Sequence, residues 1–223
     1  RLIKKIGPMV LKNQGKHIVT LASEHKAVLE SIDHLVKKEG FEVTFVEIDK
    51  EGLVNPKKVI EAIRPDTVLV SIMYGNNEIG TIQPISKIGT AIEKYKKENK
   101  TQFPFFHTDA CQATGSLSLN IVSLHVDAMT INASKIYGPK GIGALYLKRG
   151  IKVEPLQFGG TQEGGKRPGT QNVAGIIGFA RALEVAIENQ DKNSKHLKEL
   201  SKMLIDGILK TVPKTRLNGS REY

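Results

Sequence analysis

Short apolar runs and longer amphipathic stretches alternate along the chain. The short runs carry mostly apolar side chains, which is typical of strands buried in a sheet. We predict strands at residues 41–48, 68–73, 103–109, 127–132 and 142–147. Because helical segments separate these runs, the pattern predicts an α/β fold with a mostly parallel sheet flanked by helices.

The helices are predicted from apolar spacing and from capping signals. Ser23 is expected to cap a helix that Gly40 ends, and Asn55-Pro56 is expected to begin another. The other predicted helices cover residues 1–12, 84–97 and two long segments after residue 172 that break at residues 191–194.

Composition limits the class of protein. The 223 residues, 39% of them hydrophobic, suffice for one substantial α/β core. No apolar run approaches the roughly 20 residues of a membrane-spanning helix, so we expect no membrane association. The net charge of +10 comes largely from lysines scattered among glutamates, without an arginine cluster. This distribution favours a solvated surface, and we expect no direct nucleic-acid partner.

Cys111 is the single cysteine of the chain. A single cysteine excludes an internal disulfide framework and a multi-cysteine zinc site, and we expect no metal centre. It suits a reducing compartment, so we expect the cytoplasm, with mitochondria as the alternative.

Polar side chains follow three of the predicted buried strands. Residues 74–78, 107–112 and 132–135 bring amides, a carboxylate and a lysine to strand ends. Because ligands bind outside the carboxyl ends of strands in open α/β sheets, we expect a convergent site there. The lysine suits a Schiff-base role, and the carboxylate suits a protonated pyridine nitrogen. A simpler interpretation also exists for each, namely a helix cap for the aspartate and a solvated surface side chain for the lysine.

Five short motifs occur in a fixed order: SEHKAV from Ser23, NNEIG from Asn76, HTDACQ from His107, KIYGPKGIG from Lys135 and RPGT from Arg167. Together they resemble the cysteine desulfurases, members of the class V aminotransferase group of fold-type I pyridoxal-phosphate (PLP) enzymes. The resemblance spans nearly the whole chain. It implies the PLP-binding large domain of the aspartate-aminotransferase-like fold for residues 1–189. Residues 190–223 would lead into a small C-terminal domain, and both ends of the chain look cut.

The resemblance assigns three residues around the cofactor ring. Lys135 matches the lysine that forms the Schiff base with PLP. Asp109 matches the carboxylate on the pyridine nitrogen, and Gln112 matches the amide near the phenolic oxygen. Lys140 is the rival Schiff-base lysine, but its place between proline and glycine in a tight turn favours a structural role.

Further residues are assigned to the ring face and to the phosphate. His25 matches the imidazole that stacks on the pyridine ring and can also move protons, and Asn77 matches a cofactor-contacting asparagine. Their simpler interpretations are a residue of the helix cap for His25 and a turn former for Asn77. Thr170 matches a threonine that reaches the phosphate of the partner subunit's cofactor, which implies a homodimer with shared sites. The family commonly has Arg-Ser-Gly-Thr where this chain has Arg-Pro-Gly-Thr.

The three residues before Lys135 depart from the family pattern. The family usually reads Ser-Gly-His there, whereas this chain reads Asn132-Ala133-Ser134. The histidine that contacts the cofactor phosphate is therefore replaced by Ser134, whose hydroxyl donates a hydrogen bond but adds no positive charge. Asn132 can donate through its amide where the family has a hydroxyl.

The activity that the resemblance implies is the removal of sulfur from L-cysteine. Lys135 or His25 moves the Cα proton, and a cysteine thiolate takes the sulfur, giving L-alanine and an enzyme persulfide. An acceptor such as an iron–sulfur scaffold or a tRNA-thiolation protein receives the sulfur. We expect the nucleophilic cysteine and the substrate-binding arginine after Tyr223, and the first phosphate-binding segment before Arg1. Two alternatives remain. The protein could be a selenocysteine lyase or another class V PLP enzyme, or it could be a non-catalytic paralogue that binds a partner.

Overall fold

The computed structural model describes residues 15–155 and 157–221. They form an alternating α/β chain with two short 3-10 turns. The strands are β1 (His17–Leu21), β2 (Glu42–Val46), β3 (Thr67–Ser71), β4 (Phe105–Asp109), β5 (Ala128–Asn132) and β6 (Gly143–Leu147). The helices are α1 (Lys26–Glu39), α2 (Pro56–Glu61), α3 (Ile85–Glu98), α4 (Ile121–Leu124), α5 (Val173–Glu188) and α6 (Gln190–Thr211).

The described strands form one sheet in the order β2-β1-β3-β4-β5-β6. All neighbouring pairs are parallel except β5 and β6, which are antiparallel. Every predicted strand is present, shortened by one to three residues. Because β3, β4 and β5 are adjacent and parallel, the polar segments that follow them leave the sheet at the same edge.

Apolar side chains cover both faces of the sheet. On one face, α2, α3 and α4 contribute Val59, Ile88 and Leu124 to a core with β-strand residues. On the other face, Ile32 and Leu35 of α1 pack against strand residues. Helices on both faces of a mostly parallel sheet confirm the predicted fold class.

The first strand, β1, was not predicted from the sequence. All five of its residues are buried, but His17 and Thr20 interrupt the apolar pattern. Buried polar groups need hydrogen-bond partners, and here neighbouring strands provide them. The His17 ring lies 2.7 Å from the Thr67 hydroxyl and 2.8 Å from that of Thr44, and the Thr20 hydroxyl donates to the Ser71 carbonyl.

Two of the predicted helix boundaries were wrong. His25, rather than Ser23, is the N-cap of α1, and the break between the last two helices is at Asn189 rather than at residues 191–194. Asn189 ends one helix and directly precedes the next, so no loop signal marks the break. The predicted helix end at Gly40 is confirmed, and its φ of 69° lies in the left-handed region. The predicted N-cap at Asn55 is also confirmed.

Several predictions are not tested by this part of the chain. The helix predicted at residues 1–12 lies outside the described residues. Helix α6 buries none of its residues against the described chain, and the division at residue 189 stays a prediction. None of the helices among the described residues combines the length and the apolar character that crossing a bilayer requires.

Candidate active site

Asp109 is the last residue of β4 and lies half-buried at the carboxyl edge of the sheet. Its Oδ1 accepts a hydrogen bond from the Cys111 backbone N–H at 2.9 Å, so the carboxylate shapes the turn that follows the strand. Asp109 is therefore a turn cap and not the helix cap of the simpler interpretation, because residues 111–116 form turns. Capping uses only part of the accepting capacity of a carboxylate, so it is compatible with an additional role as an anion.

Lys135 ends the 3-10 turn that directly follows β5. The turn is capped by Asn132, whose Oδ1 accepts from the Lys135 backbone N–H at 3.3 Å and from the Ser134 hydroxyl at 3.2 Å. The side chain of Lys135 is exposed, and its amine forms no hydrogen bond or ion pair with the described residues. The amine is therefore available to a ligand.

The Cys111 thiol belongs to the turn that follows Asp109 and is partly buried. Burial raises the pKa of the Cys111 thiol far above its ordinary value, the charge of Asp109 raises this pKa further, and the charge of Lys135 lowers it. The raised pKa keeps the thiol protonated and unreactive.

His25 begins α1, and its Nδ1 accepts a hydrogen bond from the Ala27 backbone N–H at 3.1 Å. His25 is thus a residue of the helix cap, which was its simpler interpretation, while its contact with a cofactor ring stays a prediction. The hydrogen bond fixes Nδ1 as the acceptor, so a proton on the neutral ring resides on Nε2. The ring itself is exposed, which is compatible with contact to a cofactor.

The predicted site residues, Asp109 and Lys135 among them, do not converge on one cavity. Asp109 and Asn132 line a cavity of about 730 Å³, whereas Lys135 lines another, of about 630 Å³, beside α5. No hydrogen bond in the described part of the chain joins Asp109 or the Lys135 amine to the exposed side chains of Asn77, Gln112, His25 and Thr170. Their roles as cofactor ligands stay predictions.

Three residues near the site were not assigned from the sequence. Glu24 and Asn76 are buried and tie the turn before His25 to the end of β3. His107 is also buried; its ring nitrogens lie 2.9 Å from the Ser71 hydroxyl and 3.0 Å from the Thr130 hydroxyl. Burial lowers the pKa of His107, which keeps the ring neutral. Both Glu24 and Asn76 lie within the recognised motifs, but motif position alone does not distinguish a supporting residue from a ligand.

The donor set fits PLP. This cofactor requires a primary amine for covalent attachment, an anion at its pyridine nitrogen and hydrogen-bond donors around the ring and phosphate. Lys135 provides an amine without a hydrogen-bond partner among the described residues, and Asp109 provides the anion. Asn132 keeps its amide N–H groups for donation, because only its oxygen is used in the turn. Ser134 donates to Asn132, so a contact from this hydroxyl to phosphate requires it to rotate.

Comparison with known proteins identifies the fold and the family of the chain. The architecture is that of the large domain of fold-type I PLP enzymes, and it superimposes on a solved NifS-like protein with a TM-score of 0.89. That match has 36% sequence identity and covers 99% of this chain and 59% of the other. The family model described as Aminotransferase class-V matches residues 3–223. The chain therefore belongs to the class V aminotransferase family.

Curated relatives carry more specific names. The chain is 46% identical to cysteine desulfurase IscS of Dictyoglomus turgidum over 211 residues, which cover 95% of this chain and 52% of the relative. It is 43% identical to the mitochondrial cysteine desulfurase of Saccharomyces cerevisiae over 224 residues, covering 100% of this chain and 43% of the relative. The chain thus spans about half the length of the curated relatives it matches.

Proposed function

We propose that this chain is the cofactor-binding part of a PLP-dependent cysteine desulfurase. Residues 1–189 form its large domain, and residues 190–223 lead into a second domain. The observation that carries this proposal is that the exposed Lys135 and the Asp109 carboxylate are both placed at the carboxyl ends of the adjacent parallel strands β5 and β4. The similarity to curated cysteine desulfurases across nearly the whole chain supports the same assignment.

In this proposal the two charged residues divide the chemistry. PLP supplies an electron sink that stabilises negative charge at the Cα of the bound amino acid. Lys135 would hold the cofactor through its amine, and the same amine, once free, would move a proton at Cα of the substrate. Asp109 would keep the pyridine nitrogen protonated, which would maintain the sink.

The other predicted residues orient the cofactor. His25 would stack on the ring face, with Nε2 as the atom that can move a proton because Nδ1 caps the helix. Gln112 would contact the phenolic oxygen and Asn77 the cofactor, while Asn132 and Ser134 would contact the phosphate. Thr170 would reach the phosphate of the partner subunit's cofactor, which requires a homodimer.

The sulfur leaves through a cysteine outside this chain. A thiolate of that cysteine attacks the Sγ of L-cysteine and forms an S–S bond, while the Cβ–Sγ bond breaks. The electron pair of the broken bond stays with the carbon fragment, which takes up protons and leaves as L-alanine. An iron–sulfur scaffold protein or a tRNA-thiolation protein then accepts the persulfide sulfur.

The proposal is tested with the full-length protein, PLP, L-cysteine and a reducing thiol. We expect equal amounts of L-alanine and sulfide, measured by amino-acid analysis and a colorimetric sulfide assay. L-Selenocysteine, tested in parallel, separates this activity from that of a selenocysteine lyase. A protein that binds PLP but releases alanine only from selenocysteine, or from neither substrate, would contradict the assignment.

Cys111→Ala is expected to retain cysteine desulfurase activity within about threefold of the wild-type rate. The physical reason is that burial raises the pKa of this thiol, whereas a sulfur carrier needs an accessible thiolate. The lost sulfur contact costs about 1 kcal/mol of unfolding free energy, by analogy with small core truncations. Mass spectrometry after a single turnover checks the result. Sulfane sulfur on Cys111 would show that the catalytic cysteine lies within this chain.

A further inference from the structure

The turn that carries His25 is tied to the end of β3 by a buried carboxyl group. Glu24 is only 5% exposed, and its Oε1 accepts a hydrogen bond from the Met73 backbone N–H. Its Oε2 is buried and has no hydrogen-bond partner among the described residues. A buried carboxyl group with one partner is costly. None of the roles proposed above for the cofactor site requires a buried carboxyl group at position 24, directly before His25.

Asn76 provides a second tie between the same two segments. Its Nδ2 donates to the Ser23 carbonyl oxygen at 3.0 Å. Its Oδ1 accepts from the backbone N–H groups of Glu78 and Ile79 at 2.8 and 3.0 Å. The turn before His25 is therefore fixed to the turn that contains Asn77, so two predicted cofactor ligands are held by one set of buried contacts.

The buried setting favours the neutral form of Glu24. Burial raises the pKa of Glu24 well above its ordinary value, the Met73 N–H acts in the opposite direction, and the negative charge of Asp109 adds to the rise. A protonated carboxyl avoids the cost of a buried charge without a counter-ion. Glutamine is also neutral and has the same carbonyl acceptor, so it is a close chemical substitute at this position.

We propose that Glu24 is a positioning residue for His25. Its hydrogen bond to Met73 holds the residue before the imidazole against the end of β3, and the His25–Ala27 cap then fixes the ring. Without the acceptor at position 24, the turn moves away from β3 and the imidazole loses its place at the cofactor. This inference rests on the proposed function, because it concerns the ring on which His25 is proposed to stack.

PLP affinity of the apo form of the full-length protein is the first test. The variants are Glu24→Gln, Glu24→Ala and Glu24→Leu; leucine fills the space without an oxygen acceptor and so separates the hydrogen bond from a cavity effect. We expect the Kd for PLP to rise at least about fivefold in the alanine and leucine variants and to stay within about twofold in E24Q. Glu30→Leu and Glu30→Gln, at an exposed position of α1, are matched controls that leave the Kd unchanged.

Amide hydrogen exchange of the same apo proteins tests the tie itself. We expect residues 22–26 and the Met73 amide to exchange at least about tenfold faster in E24L than in the wild type, and E24Q to restore the protection. Exchange that is equally slow in E24L and in the wild type would overturn the proposal. This measurement remains decisive if E24A does not fold.

A double-mutant cycle shows whether Glu24 acts through His25. On the wild-type background, E24L is expected to lower kcat for L-cysteine desulfuration by at least about tenfold; on a His25→Ala background it should lower kcat by less than about twofold. Additive effects, or an E24Q variant as impaired as E24L, would contradict the positioning role. A wild-type protein that binds PLP without releasing alanine from cysteine refutes the proposed function instead, and the affinity and exchange results still decide the role of Glu24.

Discussion

Lys135→Ala is expected to abolish covalent attachment of PLP and to lower turnover by at least about a hundredfold. The amine has two roles in the proposed mechanism, namely to bind the cofactor and to move the Cα proton, and a positioned acid–base group alone contributes about 10² to 10⁴ in rate. The full-length variant should lack the yellow absorption of the lysine-linked cofactor. Absorbance spectroscopy of the purified protein and a single-turnover assay with L-cysteine measure both effects.

Lys140→Ala is the matched control for this substitution. Lys140 is also exposed, and it lies in the glycine-rich turn five positions further along the chain. We expect the control to retain the yellow absorption and most of the turnover. Loss of both in Lys140→Ala, together with their retention in Lys135→Ala, would transfer the Schiff-base role to Lys140.

Asp109→Asn is expected to leave PLP bound but to lower turnover by at least about tenfold, which corresponds to about 1.4 kcal/mol of activation free energy. Asparagine retains an oxygen that can accept the hydrogen bond from the Cys111 N–H, so the turn after β4 is preserved. Only the negative charge is lost, and with it the preference for a protonated pyridine nitrogen. Steady-state kinetics with L-cysteine and the absorption spectrum of the bound cofactor give the measurement.

Asp49→Asn separates the effect of charge from that of turn geometry. Asp49 Oδ1 also caps a turn, accepting from the backbone N–H groups of Glu51 and Leu53 at 2.8 and 2.9 Å, but it follows the edge strand β2. We expect this control to have wild-type turnover. Near-normal turnover in Asp109→Asn as well would mean that Asp109 serves only as a turn cap.

The sheet could be predicted where apolar periodicity is unbroken. The strands that lead to the site have buried apolar residues, such as Val70 in β3 and Phe106 in β4, and their positions were predicted within three residues. By contrast, β1 contains His17 and Thr20, whose burial depends on hydrogen bonds to β2 and β3. Such partners become neighbours only after the sheet forms, so a local pattern does not reveal them.

The site was predictable as a set of strand ends but not as a network of contacts. Asp109 and Lys135 were recognised from their motifs, and the order of the strands places them at the same edge. Glu24, at the centre of the buried contacts, was not assigned a role, because its importance depends on the Met73 N–H from a different strand end. Asn132 was predicted as a donor, whereas its oxygen caps the turn that presents Lys135. Roles that depend on tertiary contacts or on two uses of one side chain require the three-dimensional structure.

Peptide mapping after borohydride reduction tests the central claim most directly. The full-length wild-type protein is incubated with PLP, reduced so that a lysine-linked cofactor becomes a stable secondary amine, digested and analysed by tandem mass spectrometry. We predict that the pyridoxyl phosphate mass is found on Lys135 at close to one equivalent per chain. The same mass on Lys140, or no lysine modified within this chain, would contradict the claim that these residues form the PLP site of a cysteine desulfurase.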